Sequence, residues 1–125
     1  MKVTANLFVE AVEPSLEFWV TRMGFTKTVE VPEGDKLGFV ILVSNDAELM
    51  LQSYASIAKD EPKFLPGPGE KATSALFIEV DDFDEILGRL QDYPITMPER
   101  TTFYGMREIG VREPGGHVVI FAKRA

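Results

Sequence analysis

The sequence predicts an α+β fold of two βαβββ modules that form a curved, half-open sheet with the helices on its outer face. Three observations carry that prediction. The first is an internal repeat: residues 4–25 (TANLFVEAVEPSLEFWVTRMGF) and 75–95 (ALFIEVDDFDEILGRLQDYPI) follow one strand-to-helix plan. Laid over each other, Leu7, Val9, Val12, Leu16 and Trp19 fall on Ile78, Val80, Phe83, Leu87 and Leu90, apolar on apolar each time. The second is a helical stripe in each copy, and the third is a set of short strand runs bounded by turn residues after each helix. A duplicated module buries its apolar face only against its twin or a second chain.

In the first copy the strand signals are 5–9, 25–31, 37–43 and 48–53, with 32–35 (PEGD) and 44–46 (SND) as turns. Pro14 suits the first turn of the intervening helix, where its missing N–H costs nothing; Leu16, Trp19, Val20 and Met23 follow at i, i+3, i+4 and i+7, and Gly24 ends it. In the second copy the strands are 75–80, 95–101, 106–112 and 117–122, around a helix over 83–91. Asp82 caps that helix and Glu85, three residues on, completes a capping box; Phe83, Ile86, Leu87 and Leu90 form its core stripe.

The segment 55–73 carries Pro62, Pro66, Gly67, Pro68 and Gly69 and reads as a connector with one helical turn at 56–59. With 125 residues the chain is read as a single domain, 1–125: module 1 over about 1–54, the linker over 55–73 and module 2 over about 74–125.

Composition removes whole function classes. No cysteine means no disulfide, thiolate nucleophile or cysteine-held zinc. A net charge of −7, from 20 acidic against 13 basic residues, disfavours nucleic acid and favours cationic small molecules. No apolar run approaches the ~20 residues of a membrane span, and no long apolar stretch follows the N-terminal lysine. The reading is a cytoplasmic protein with neither a membrane nor a nucleic-acid partner.

The two-residue strand period assigns faces. If Leu7 and Val9 meet the first helix, Thr4, Asn6, Phe8 and Glu10 line the cavity; if Leu76, Ile78 and Val80 meet the second, Ala75, Phe77 and Glu79 do. The matching faces on the last strands are read as Leu49, Leu51 and Ser53, and Val118, Ile120 and Ala122. Phe8 and Phe77 serve as packing between the halves or as ligand wall. Inward carboxylates at Glu10 and Glu79 require a counter-charge, either a ligand or an arginine such as Arg107. Phe103 and Tyr104, an aromatic pair in a loop-like stretch after Pro98, are candidates for ligand contact, as are Ser53 and Tyr54, which close the fourth strand and can hydrogen-bond.

Other candidates read as structural. His117, the one histidine, follows Gly115 and Gly116 in a turn without a nucleophile-and-carboxylate set, so no catalytic residue is assigned. Asp81, Asp82, Asp84 and Glu85 are helix-start and solvated charge and lack the regular spacing of a calcium loop. Gly67 and Gly69 make no phosphate cradle, because Pro66 and Pro68 remove the N–H groups it would use.

With those residues in view, the chain resembles the glyoxalase / bleomycin resistance / dioxygenase superfamily, also called vicinal oxygen chelate (VOC) proteins. The likeness rests on SLEFW and MGF in the first half, SALFIEVDDFDEILGRL in the second, and GMREIGVREPGGHVVIF as the closing hairpin, where Glu113 and His117 replace the usual Asp and Asn. Metal-using enzymes of that superfamily draw ligands from the first and fourth strands of each half. The resemblance places Thr4, Leu51, Ala75 and Ile120 there, a set unable to hold a divalent ion, so neither metal nor other cofactor is expected.

What the resemblance then implies is the binding branch: a metal-free, acidic homodimer of the bleomycin-resistance type that sequesters a planar or cationic molecule, as in antibiotic resistance. The alternative it leaves open is a lyase, isomerase or dioxygenase on a small oxygenated substrate. A third is a cavity merely filled by the dimer.

Overall fold

The computed structural model describes residues 1–70 and 74–125, so the end of the expected linker, 71–73, lies outside the described residues. The chain divides into two compact units, Met1–Ala72 and Thr73–Ala125.

The first unit runs β1 (Ala5–Val9), α1 (Val12–Leu16, continuing as a π-helix over Glu17–Arg22), β2 (Thr26–Glu33), β3 (Lys36–Ser44), β4 (Ala47–Ser53) and α2 (Tyr54–Asp60), then a 3-10 turn, Pro62–Phe64. Its mixed sheet has the order β1-β4-β3-β2, with β1 parallel to β4 and the other pairs antiparallel. The second unit repeats the plan: β5 (Ala75–Glu79), α3 (Phe83–Arg89), β6 (Met97–Thr101), β7 (Met106–Arg112) and β8 (Val118–Arg124), in the order β5-β8-β7-β6 with β5 parallel to β8. Neither sheet closes into a barrel. The expected α+β class and βαβββ order hold in both copies.

In the first unit Val9, Val12, Trp19, Val40, Leu42 and Leu51 are fully buried. Trp19 stands edge-on to Phe18 at 5.0 Å and to Phe25 at 5.1 Å between ring centroids, pairs worth ~0.5–1.5 kcal/mol each beyond their burial. The helix departs from its expected stripe: Phe18 and Trp19 are both buried while Leu16 and Val20 are only half-buried. The cause is the π-helical stretch, in which the Met23 N–H donates to the Phe18 carbonyl five residues back. That wider turn brings two consecutive side chains to the core side.

α2 is longer than the single turn expected. Ser53 ends β4 and also caps α2, its hydroxyl accepting from the Ser56 N–H at 3.1 Å. Tyr54 therefore opens a helix and does not close the fourth strand.

In the second unit Phe83, Leu90, Val111, Val119 and Phe121 form the centre of the core. Asp82 caps α3 as expected, accepting from the Glu85 N–H at 3.0 Å. The other half of the capping box is replaced: the Glu85 carboxylate takes Nη2 and Nε of Arg89 at 2.9 and 3.1 Å, one helical turn on.

Candidate functional site

In-register partners on neighbouring strands point to the same side of a sheet, so the ladders settle which residues share a face. In the first unit Leu7 pairs with Leu51 and Val9 with Ser53, all buried. Leu49, Leu51 and Ser53 therefore belong to the helix-side core, which corrects their assignment to the open face. The open face instead pairs Asn6 with Met50 and Phe8 with Gln52, and β3 continues it with Phe39 beside Gln52, Ile41 beside Met50 and Val43 beside Glu48. The error was one residue, and with a period of two that inverts the whole strand.

That open face is apolar in the middle and hydrogen-bonded at both ends. Asn6 Nδ2 donates to Gln52 Oε1 at 3.0 Å, and Gln52 Nε2 donates to Ser56 Oγ at 3.1 Å. At the other end Glu48 Oε1 accepts from Lys2 Nζ at 3.0 Å and Thr4 Oγ1 at 3.1 Å, bonds that hold its carboxyl below the usual range. Phe8 is half-buried and Glu10, past the end of β1, is exposed.

In the second unit the face assignments hold for Ala75, Phe77 and Glu79, which pair with Val118, Ile120 and Ala122; β7 continues the row with Arg112, Gly110 and Glu108. Phe77 is 50 % exposed, so it is not part of that unit's core. Arg107 lies on the opposite face: its guanidinium sits 4.5 Å from the Phe83 ring centroid and bonds Glu99 at 2.8 Å, which raises its pKa. It is therefore not the counter-charge for Glu79. Among the described residues the carboxylates of Glu10 and Glu79 have no hydrogen bond or ion pair, and both residues are exposed.

Phe103 and Tyr104 form the tip of the β6–β7 hairpin and meet edge-on at 5.1 Å. Phe103 is fully exposed. Tyr104 is anchored: its hydroxyl donates to Glu108 Oε2 at 2.6 Å, which pushes the phenol pKa up. Glu108 Oε1 accepts Nη2 and Nε of Arg100 at 3.0 and 3.2 Å, so a carboxylate 1 % exposed is fully bonded. Glu108 and Arg100 escaped the sequence reading. The available signal was alternation, since in the strand 106–112 (MREIGVR) Glu108 shares a face with Met106 and Gly110, and a carboxylate there must either reach a partner or stay out of the interior.

His117 is 6 % exposed and sits where a structural role was expected. Its Nδ1 is hydrogen-bonded to Ser74 Oγ, and its backbone N–H donates to Glu113 Oε1 at 3.2 Å.

For the divalent ion of the metal-using enzymes the donor set does not fit. With the register corrected, the open side of β4 presents Met50 beside Asn6, not Leu51, and Glu48 beside Thr4, its carboxylate already taken by Lys2 and Thr4. Ala75 and Ile120 carry no donor, Met50 offers a thioether, and the Thr4 hydroxyl is committed to Glu48. Among the described residues no three His, Asp or Glu side chains converge to hold a metal.

The family profile described as "Glyoxalase/Bleomycin resistance protein/Dioxygenase superfamily" matches residues 3–121. The uncharacterized protein YurT of Bacillus subtilis (strain 168) is 31 % identical over 114 residues, covering 87 % of each chain. Among solved structures, TioX from Micromonospora sp. ML1 superposes with a TM-score of 0.79 at 19 % identity, over 100 % of this chain and 99 % of its own. A bleomycin-binding protein complexed with bleomycin gives 0.69 at 16 % identity, with coverage of 100 % and 99 %. At such identities the structural likenesses speak for the fold, and the profile match speaks for descent: the chain belongs to the glyoxalase / bleomycin resistance protein / dioxygenase superfamily.

Proposed function

We propose that this protein binds and sequesters a small organic molecule, planar or cationic in character, without a metal. The observation that carries this reading is the poverty of donors where the resemblance puts the metal ligands: of Thr4, Leu51, Ala75 and Ile120 only Thr4 has an oxygen, it is bonded to Glu48, and Met50, which takes the open side in place of Leu51, offers a thioether, on faces otherwise furnished as ligand walls. Phe8, Phe39 and Ile41 supply apolar surface on one open face, and the half-exposed Phe77 beside Ile120 supplies it on the other. The unpaired carboxylates of Glu10 and Glu79 bias these faces toward cations, and the anchored Tyr104 with the exposed Phe103 offers an aromatic shelf.

Asn6 is a polar contact point held in place by Gln52, while Tyr54, at the start of α2, reaches a ligand from the rim. Sequestration asks for nothing more than this, since no bond is made or broken. The bleomycin bound by the structural neighbour supplies the ligand class, and the family's habit of pairing subunits supplies the expected homodimer; the site of action we propose is the cytoplasm, and among the described residues no helix is long and apolar enough to cross a membrane.

Melting in a matched panel tests the proposal: buffer, chelator, excess nickel or zinc, and metal-free bleomycin. A ligand at a hundredfold over its dissociation constant adds about 2.7 kcal/mol, a rise of several degrees. A rise with bleomycin alone supports sequestration. A metal-dependent rise that chelator reverses would overturn the metal-free reading in favour of the enzyme alternative.

A further inference from the structure

The carboxyl end of β5 meets β8 and the start of β7 in a cleft of about 250 Å³ lined by Glu79, Val80, Asp81, Met106, Lys123 and Arg124. We propose that this cleft is a head-group site for a zwitterion, taking the ammonium and the carboxylate of an aromatic amino acid or a ligand built on one. The inference rests on the binding reading above and specifies the chemistry of its ligand.

Charge is the first argument. The rim carries both signs of charge, Glu79 and Asp81 against Lys123 and Arg124, and of the strand residues Glu79 and Arg124 share the open face, so a purely cationic or purely anionic ligand gains from one what it loses to the other. Lys123 is already committed, its Nζ donating to the Asp81 carbonyl. The guanidinium of Arg124 and the carboxylates of Glu79 and Asp81 have no hydrogen bond or ion pair among the described residues.

Register is the second. Glu79 pairs with Ala122, two residues before Arg124 on the same face of β8, and Met106 pairs with Arg124 from β7. Glu79 and Arg124 are thus diagonal neighbours, roughly 7–8 Å apart at Cα, and their charged groups are not within ion-pair distance of each other. A ligand bearing both charges bridges them, with the Met106 side chain flanking Arg124 on its far side. The guanidinium takes the carboxylate in a two-point contact and Glu79 takes the ammonium.

Size and surroundings give the rest of the ligand. The cleft is smaller than the ~300–1,000 Å³ of pockets that engulf drug-sized molecules, so it holds a head group and leaves the remainder outside. The neighbouring surface is aromatic: a Cβ at Gly105 would lie 3.9 Å from Arg124 Nη1, which sets the guanidinium against the hairpin turn that carries Phe103 and Tyr104.

The test is calorimetric titration of the full chain with L-phenylalanine, its methyl ester, which keeps only the positive charge, and N-acetyl-L-phenylalanine, which keeps only the negative one. Metal-free bleomycin is titrated in parallel. The expected result is at least tenfold tighter binding of phenylalanine than of either derivative. Arg124→Gln should erase its advantage over the ester and Glu79→Gln its advantage over the N-acetyl form, both with unchanged melting temperature, as befits exposed side chains. The assignment is overturned if the ester binds as well as phenylalanine, if neither substitution alters phenylalanine binding, or if none of the three binds. Bleomycin binding alongside any of those outcomes leaves the broader reading standing; silence from all four ligands overturns both.

Discussion

The Tyr104 hydroxyl donates a 2.6 Å hydrogen bond to Oε2 of Glu108, a carboxylate 1 % exposed in the middle of β7. The bond favours the protonated phenol and raises its pKa above the ordinary value. A raised folded pKa gives stability that is whole below the unfolded value, about 10, and is lost as pH climbs through the folded one. Tyr104→Phe should therefore cost the same stability at about pH 6 and about pH 8, and the gap to wild type should close only above about pH 10. Urea unfolding across that range measures it; a gap constant into the alkaline limb would show that this bond does not form.

Arg100 meets the same carboxylate from β6, at 3.0 Å, with its own side chain 54 % exposed against 2 % for Glu108. Removing one partner of a fully buried pair costs ~3–5 kcal/mol, and partial exposure of Arg100 lets water make up part of the loss, leaving about 1–2 kcal/mol for Arg100→Ala. In Glu108→Gln there is no buried charge to strand, so a further Arg100→Ala should cost much less than it does in wild type. Equal costs in the two backgrounds, read by a double-mutant cycle, would mean that the pair is not energetically coupled.

Phe18 is 1 % exposed while Leu16 is half-buried, the reverse of what a regular helical stripe would give. Phe18→Ala should cost ~3–5 kcal/mol and Leu16→Ala clearly less. Both repeats, every strand and the turn at Gly24 were legible because they depend on local chemistry and a fixed period. The π-helical stretch was not, since one carbonyl bonding five residues on leaves no mark in composition. If Leu16→Ala proves the costlier, α1 is regular in solution.

Leu51 and Met50 are neighbours in β4 with opposite fates: Leu51 pairs with Leu7 at 0 % exposure, whereas Met50 pairs with Asn6 on the open face. Leu51→Glu buries an unpaired carboxylate and should abolish folding or cost several kcal/mol, and Met50→Glu should leave soluble protein with a nearly unchanged melting temperature. The pattern of β4, AELMLQS, alternates apolar and polar only weakly because Met50 is apolar on the open side. That is why the sequence let the strand be read one residue out of phase. Comparable damage from both substitutions would mean that both faces of this sheet are closed.

Gly38 sits in β3 beneath α2, where a Cβ would come within 2.8 Å of Glu33 Cβ and 3.2 Å of Ser56 Cβ. These are Cβ atoms fixed to the backbone, so the hairpin or the helix must move, and Gly38→Ala should destabilise by roughly 1–3 kcal/mol. The ion pair between Lys59 of α2 and Glu33 of β2, at 2.5 Å, spans the same contact and should weaken with it. Gly88, inside α3, has nothing within 4 Å of its built Cβ, so Gly88→Ala should stabilise by about 0.5–1 kcal/mol through helix propensity alone. Thermal melts of the two variants should move in opposite directions. A neutral Gly38→Ala would mean that α2 rests on the sheet loosely, and Tyr54 at its first turn would then not be held where a ligand on the open face would find it.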